Sequence, residues 1–105
     1  MKNARKKKLE AAGFKVGTVQ EFLDLTDEDM EIIEMRVALA RSLKNLRRRL
    51  KVSQMAFASK IGSSQSRVAR MEAGDPSVSL DLLMRSLVKA GASRKEIGRA
   101  IARVA

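Results

Sequence analysis

Residues 53–74 read SQMAFASKIGSSQSRVARMEAG, and their polar side chains are of types that bind rather than types that transfer groups. Gln65, Arg67 and Arg70 recur at spacings that keep them off the apolar face of a helix. A Gln amide offers a paired donor and acceptor to adenine, and an Arg guanidinium forks onto guanine. Ser64 and Ser66 add hydroxyls beside them, and Gln54 stands where a preceding helix would begin. Catalytic chemistry is poorly served. The chain has no His, Cys, Tyr or Trp, so the commonest general base and the thiolate nucleophile are missing. The nearest acidic cluster, Asp27, Asp29 and Glu31, suits the first turn of a helix better than a metal site. No catalytic residue, metal or cofactor is expected, and the chain does not read as an enzyme.

These side chains need two short helices to hold them. Ser53 caps the first, which ends at Gly62, and Ser63 or Ser64 caps the second, which ends at Gly74. Two helices crossing steeply need a small residue where they touch, supplied by Ala58. The turn needs a left-handed residue, supplied by Gly62. Val68 and Met71 face the first helix, and Phe57 and Ile61 complete the inner surface. The N-terminal amides behind Ser53 and Ser64 suit phosphates. This helix, tight turn and second helix is how a polar and basic face is presented to the major groove of DNA.

The rest of the chain supplies a frame of helices. Apolar residues are 45% of the 105, aromatics only 3%, and there is a single Pro. An aliphatic all-α core follows. Residues 19–24 make a short turn with Val19, Phe22 and Leu23 inward. Thr26 caps a long helix from Asp27 to Leu50, with Met30, Ile33, Val37 and Ala40, then Leu39, Leu43, Leu46 and Leu50, on its apolar side. At ~24 residues it is about 36 Å long, so its first half is expected to project or to break near residue 35. Ser79 opens a helix to Ala90 with Leu80, Leu83, Leu87 and Val88 apolar, and Gly91 ends it. Ser93 and Glu96 make a capping-box pattern for a last helix carrying Ile97, Ile101 and Val104.

Net charge is +10, unevenly spread. Residues 1–8 hold five bases and no acid, residues 9–34 eight acids and one base, and residues 35–105 sixteen bases and four acids. Positive charge therefore travels with the helix pair, as a polyanion binder requires. Three segments are expected: a basic disordered arm at 1–9, an acidic helical extension at 10–35, and a DNA-binding domain at 36–105 with its motif at 53–74. The arm has no apolar run after it, so it reads as neither a secretory signal nor a membrane anchor. A cytoplasmic location, with nucleoid association when bound to DNA, fits this pattern.

Residues 53–74 resemble the lambda-repressor-like, XRE-type helix-turn-helix family, whose pattern is roughly S/T-Q-x-x-L/F-A-x-x-h-G-x-S-Q-S-x-h-x-x-h-E-x-G, with h apolar. The resemblance implies five helices around one core over about residues 36–105. It implies sequence-specific operator binding, usually as a dimer, with base or phosphate contact from Gln54, Ser64, Gln65, Ser66, Arg67 and Arg70. Glu72 matches the family's acidic position, where a structural role is expected. Lys44, Arg47, Arg48, Arg49, Lys51, Lys60 and the arm are expected to neutralise phosphates. With no ligand-binding domain after the motif, the chain looks like a short regulator.

The leading expectation is a repressor reading a palindromic operator on double-stranded DNA as a homodimer. Size, the single domain and the acidic N-terminal segment also resemble antitoxins of host-inhibition-of-growth modules, in which residues 9–40 would hold a toxin partner. A helical extension at 9–34 used for packing or dimerisation is the slightly preferred account of the acidic segment.

Overall fold

The computed structural model describes residues 20–102, and all its regular structure there is helical. A turn of helix at 20–22 precedes five longer elements. These are α1 (Asp27–Leu50), α2 (Gln54–Ile61), α3 (Gln65–Glu72), α4 (Leu80–Lys89) and α5 (Arg94–Ala102). The expected arm, the first part of the extension, Val19 and Val104 lie outside the described residues.

Each helix starts where a hydroxyl satisfies an amide that has no partner within the helix. Thr26 accepts from the Asp29 amide, and the Asp29 carboxylate accepts from the Thr26 amide, closing a capping box at the start of α1. Ser53, Ser64 and Ser79 accept from the amides of Ala56, Arg67 and Leu82. Ser93 accepts from the Glu96 amide, while its own hydroxyl meets the Glu96 carboxylate. In α1 the acids Asp27, Glu28 and Asp29 fill the first turn and Arg47, Arg48 and Arg49 the last. Both ends therefore oppose the helix dipole.

One apolar core, aliphatic but for Phe57, joins all five helices: Leu39, Leu43 and Leu46 of α1, Phe57, Ala58 and Ile61 of α2, Val68 and Met71 of α3, Leu83 and Leu87 of α4, and Ile97 of α5. Val78 and Ala90 close its edges. The Ser86 hydroxyl is buried there and donates to the Met71 sulfur at 3.3 Å. Farther along α1, Met30 is buried with Leu25 and Ile33 in a small separate cluster.

Three expectations need correction. First, α1 does not break near residue 35 but runs unbroken across it. Arg36 donates to the Val78 carbonyl, tying the middle of the helix to the loop before α4. Second, Phe22 and Leu23 do not face inward: they are 84% and 56% exposed, because a single helical turn offers no periodic face to bury. Third, Leu50 and Val88, assigned to apolar stripes, are exposed. Leu50 sits in the last turn of α1, beyond the reach of the core, and Leu83 and Leu87 fill the inner face of α4 without Val88. The glycine expected at the end of α3 is in place, one residue after the cap Ala73. Gly74, at φ 72°, is the left-handed residue just after.

Candidate nucleic-acid interface

The site begins with the turn between α2 and α3. Gly62 caps α2 at φ 68°, and its amide returns to the Ala58 and Ser59 carbonyls. A side chain here would meet open space, so the left-handed backbone, not crowding, calls for glycine. The Ser63 amide donates to the Ala58 carbonyl at 2.8 Å, and Ser64 then opens α3. Ala58, Val68 and Met71 are buried where the two helices meet, as their types foretold.

At ~100° per residue, Ser66 and Arg70 stand opposite Val68 and Met71. Gln65 and Arg67 flank them on either side. All four, with Ser64, are exposed. Among the described residues, neither Arg67 nor Arg70 has a side-chain hydrogen bond or an ion pair. The outward face of α3 is thus a row of hydroxyl, amide and guanidinium groups, of which the guanidinium groups are uncommitted.

Gln65 is held instead. Its Nε2 donates to Gln54 Oε1 at 2.8 Å, and Gln54 Nε2 donates to Glu72 Oε1 at 3.1 Å. Glu72 in turn receives Arg47 Nε at 2.6 Å on Oε2 and the same guanidinium at 3.0 Å on Oε1. A further Arg47 nitrogen donates to the Val52 carbonyl at 3.0 Å. One chain of hydrogen bonds therefore runs from α1 through the last turn of α3 and the first residue of α2 to the first residue of α3. Burial pushes the Glu72 carboxyl upward. Hydrogen bonds from Arg47 and Gln54, with the charges of Arg47 and Lys44, outweigh it and hold the group below the ordinary carboxylate value.

A family model of the helix-turn-helix domain matches residues 38–100. This chain belongs to that family. The match spans the last half of α1 through most of α5, so the core that joins the five helices lies within the helix-turn-helix domain. Comparison with curated proteins and with solved structures gives no match.

The helix-turn-helix domain carries further bases outside α3. Lys44, Arg48, Lys51 and Lys60 are exposed. Arg47, expected to neutralise phosphates with them, is engaged elsewhere. Its guanidinium is committed to Glu72 and only 16% of its side chain is exposed. Arg49 reaches Glu96 of α5 at 3.5 Å, an exposed and weak pair. Lys51 caps α1 in a left-handed conformation at φ 58°, unusual for a side chain of that size. After α3, the Asp75 carboxylate accepts from the Ser77 amide at 2.8 Å. That bond holds it below the usual carboxylate range, and the charges of Arg70 and Arg36 assist.

Sequence reasoning placed the residues of the α3 face and the role of Glu72. It missed Arg47 as the partner of Glu72 and the contact of Gln54 with Gln65. Two signals pointed to the ion pair. Glu72 is the sole acid in residues 35–74 and adjoins the core residue Met71. Arg47 follows the buried Leu46 and lies one turn beyond Leu43. Among the described residues, no group of acids has metal-binding geometry and no helix is long and apolar enough to cross a membrane.

Proposed function

We propose that this helix-turn-helix protein is a sequence-specific transcriptional regulator of the XRE type. It acts as a repressor, occupying a palindromic operator as a homodimer and reading bases with α3. The observation that carries this reading is the exposed α3 face, where Arg67 and Arg70 have no hydrogen-bond or ion-pair partner among the described residues while Gln65 is fixed beside them. Guanidinium groups left unpaired on a helix of this kind suit guanine edges, and a fixed amide suits adenine. Gln54, Ser64, Ser66 and the first amides of α2 and α3 would contact phosphates, with Arg48, Lys51 and Lys60 adding neutralisation. A motif of this size reads one half-site, and two-fold pairing would supply the second.

The test is fluorescence anisotropy on a duplex from the region upstream of the chain's own reading frame, against a scrambled duplex, at two salt concentrations. Binding at least tenfold tighter to the first supports the regulator. Equal, salt-sensitive binding to both removes it.

A second reading, an antitoxin that binds a toxin and represses its own operon, draws on the N-terminal part of the described structure. Phe22, Leu23 and Ile32 are 84%, 56% and 43% exposed, and the neighbouring acids Asp24, Glu28 and Asp29 are exposed too. Exposed apolar side chains in a stretch of chain rich in acids suit a basic protein partner. Co-expression with the product of the adjacent reading frame, followed by gel filtration, tests it. A complex lost in Phe22→Ala supports this reading, and separate elution removes it.

A further inference from the structure

The hydrogen bonds from Glu72 to Gln65 have a direction, and that direction is chemically forced. An ionised carboxylate only accepts. Glu72 faces the Arg47 guanidinium and is ionised, so the group that Gln54 turns toward it must be the amide nitrogen. Gln54 then presents its oxygen to Gln65. An oxygen at 2.8 Å calls for a donor, so Gln65 turns its own nitrogen inward. What remains for a ligand is the Gln65 oxygen and its second N–H. This is one acceptor and one donor, the pattern complementary to the N6 amino group and N7 of adenine. Were the order reversed, Gln65 would bond inward through its oxygen and show two N–H donors. That is the pattern complementary to O6 and N7 of guanine. Because the groups on α3 and α2 are coupled, a charge that never reaches the groove decides which base the exposed amide fits.

We propose that Glu72 is a positioning residue for base selection. Through Gln54, it fixes the amide of Gln65 in the orientation that takes adenine and rejects guanine. The inference rests on the reading of α3 as the base-reading helix and assigns Glu72 a part in specificity beyond holding the fold.

The experiment uses the full chain and a duplex selected by the wild-type protein from a pool of randomised 20-bp DNA. Every base pair of the selected site is changed singly, and anisotropy gives the affinity ratio at each. Gln65→Ala locates the pair that Gln65 reads, by relaxing discrimination there alone. Glu72→Gln keeps the shape of residue 72 but lets its amide donate or accept. Gln54→Met leaves the Arg47–Glu72 pair intact and cuts the relay without relying on Glu72 for folding.

A bidentate pair separates right from wrong base by roughly 5- to 150-fold. Both relay variants should bring the adenine-to-guanine ratio at that pair to within about threefold, with the ratios at other pairs retained. A residue that only supports the fold would lower affinity at every sequence alike and leave the ratio unchanged. If Gln65→Ala relaxes one pair while Gln54→Met and Glu72→Gln both keep the wild-type ratio there, the relay is wrong and the reading of α3 stands. If the wild-type chain selects no sequence, or Gln65→Ala relaxes no pair, the reading of α3 fails and takes the relay with it.

Discussion

Arg47 and Glu72, twenty-five residues apart, meet through two parallel bonds of 2.6 and 3.0 Å that pin the last turn of α3 to α1. The Glu72 side chain is only 4% exposed, so its charge depends on this partner. A hydrophobic pair of the same shape could hold the helices together equally well, but removing one partner strands the other. Arg47→Ala should therefore destabilise the domain by about 3 kcal/mol, more than Arg49→Ala, whose pair with Glu96 is exposed. Urea unfolding followed by circular dichroism measures both. A loss under about 0.5 kcal/mol for Arg47→Ala, within the range of an exposed pair, would show that the contact adds little.

The same pair sets a pH dependence. The Glu72 carboxyl is held below its ordinary value of 4.5 in the folded chain. A group with a depressed folded pKa binds its proton more weakly when folded than when unfolded. Its contribution is complete above the unfolded pKa and is lost as pH falls through the folded one. Thermal unfolding should thus show a melting temperature that drops as pH goes below about 4.5. Asp75 is shifted in the same direction and contributes to the drop, so the informative quantity is a difference. The melting temperatures of wild type and Glu72→Gln should converge as pH falls below that value. A gap between them that stays constant from pH 7 to pH 3 would contradict this origin.

The helices and their starts were legible in the sequence because both are local. Ser53, Ser64, Ser79 and Ser93 act within three residues of themselves, and the stripe Leu39, Leu43, Leu46 follows from helical geometry alone. The α3 face was legible for the same reason: once Val68 and Met71 point inward, Ser66 and Arg70 must point out. What escaped depends on distance along the chain. In the sequence Arg47 stands beside Arg48 and Arg49 as one of three equal cations. Only the fold shows that Arg47 points at Glu72, that Arg49 leans toward Glu96, and that Arg48 is exposed with no ion pair among the described residues. The exposure of Phe22 and Leu23 escaped because a few residues of turn carry no period.

Lys51 links backbone strain to the proposed binding surface. It ends α1 at φ 58°, where a side chain costs roughly 1–2 kcal/mol per residue relative to right-handed backbone. Glycine removes that cost but loses more chain entropy on folding. Lys51→Gly should therefore stabilise the fold modestly, by about 0.5–1 kcal/mol. If Lys51 neutralises a phosphate, the same change should reduce the slope of log affinity against log salt by about 0.9. Unfolding curves and a salt titration on one preparation test the two halves separately. A destabilised variant would refute the strain argument, and an unchanged slope would take Lys51 off the phosphate surface.

Arg70 carries the sharpest prediction about the interface. It lies at the centre of the α3 face, opposite the buried Val68 and Met71, and has no ion-pair partner among the described residues. The carboxylate of Asp75 acts on it only at longer range. A guanidinium so placed either forks onto a guanine edge or meets a phosphate, and the two are separable by what they ignore. A base contact is lost on the cognate site and hardly felt on random DNA, whereas a phosphate contact is lost on both. Arg70→Ala should cost about 1–3 kcal/mol on the selected site, change binding to scrambled DNA little, and relax discrimination at one base pair. Anisotropy on both duplexes decides it. Equal losses would make Arg70 a phosphate ligand, and no loss on either would move the reading surface away from the centre of α3.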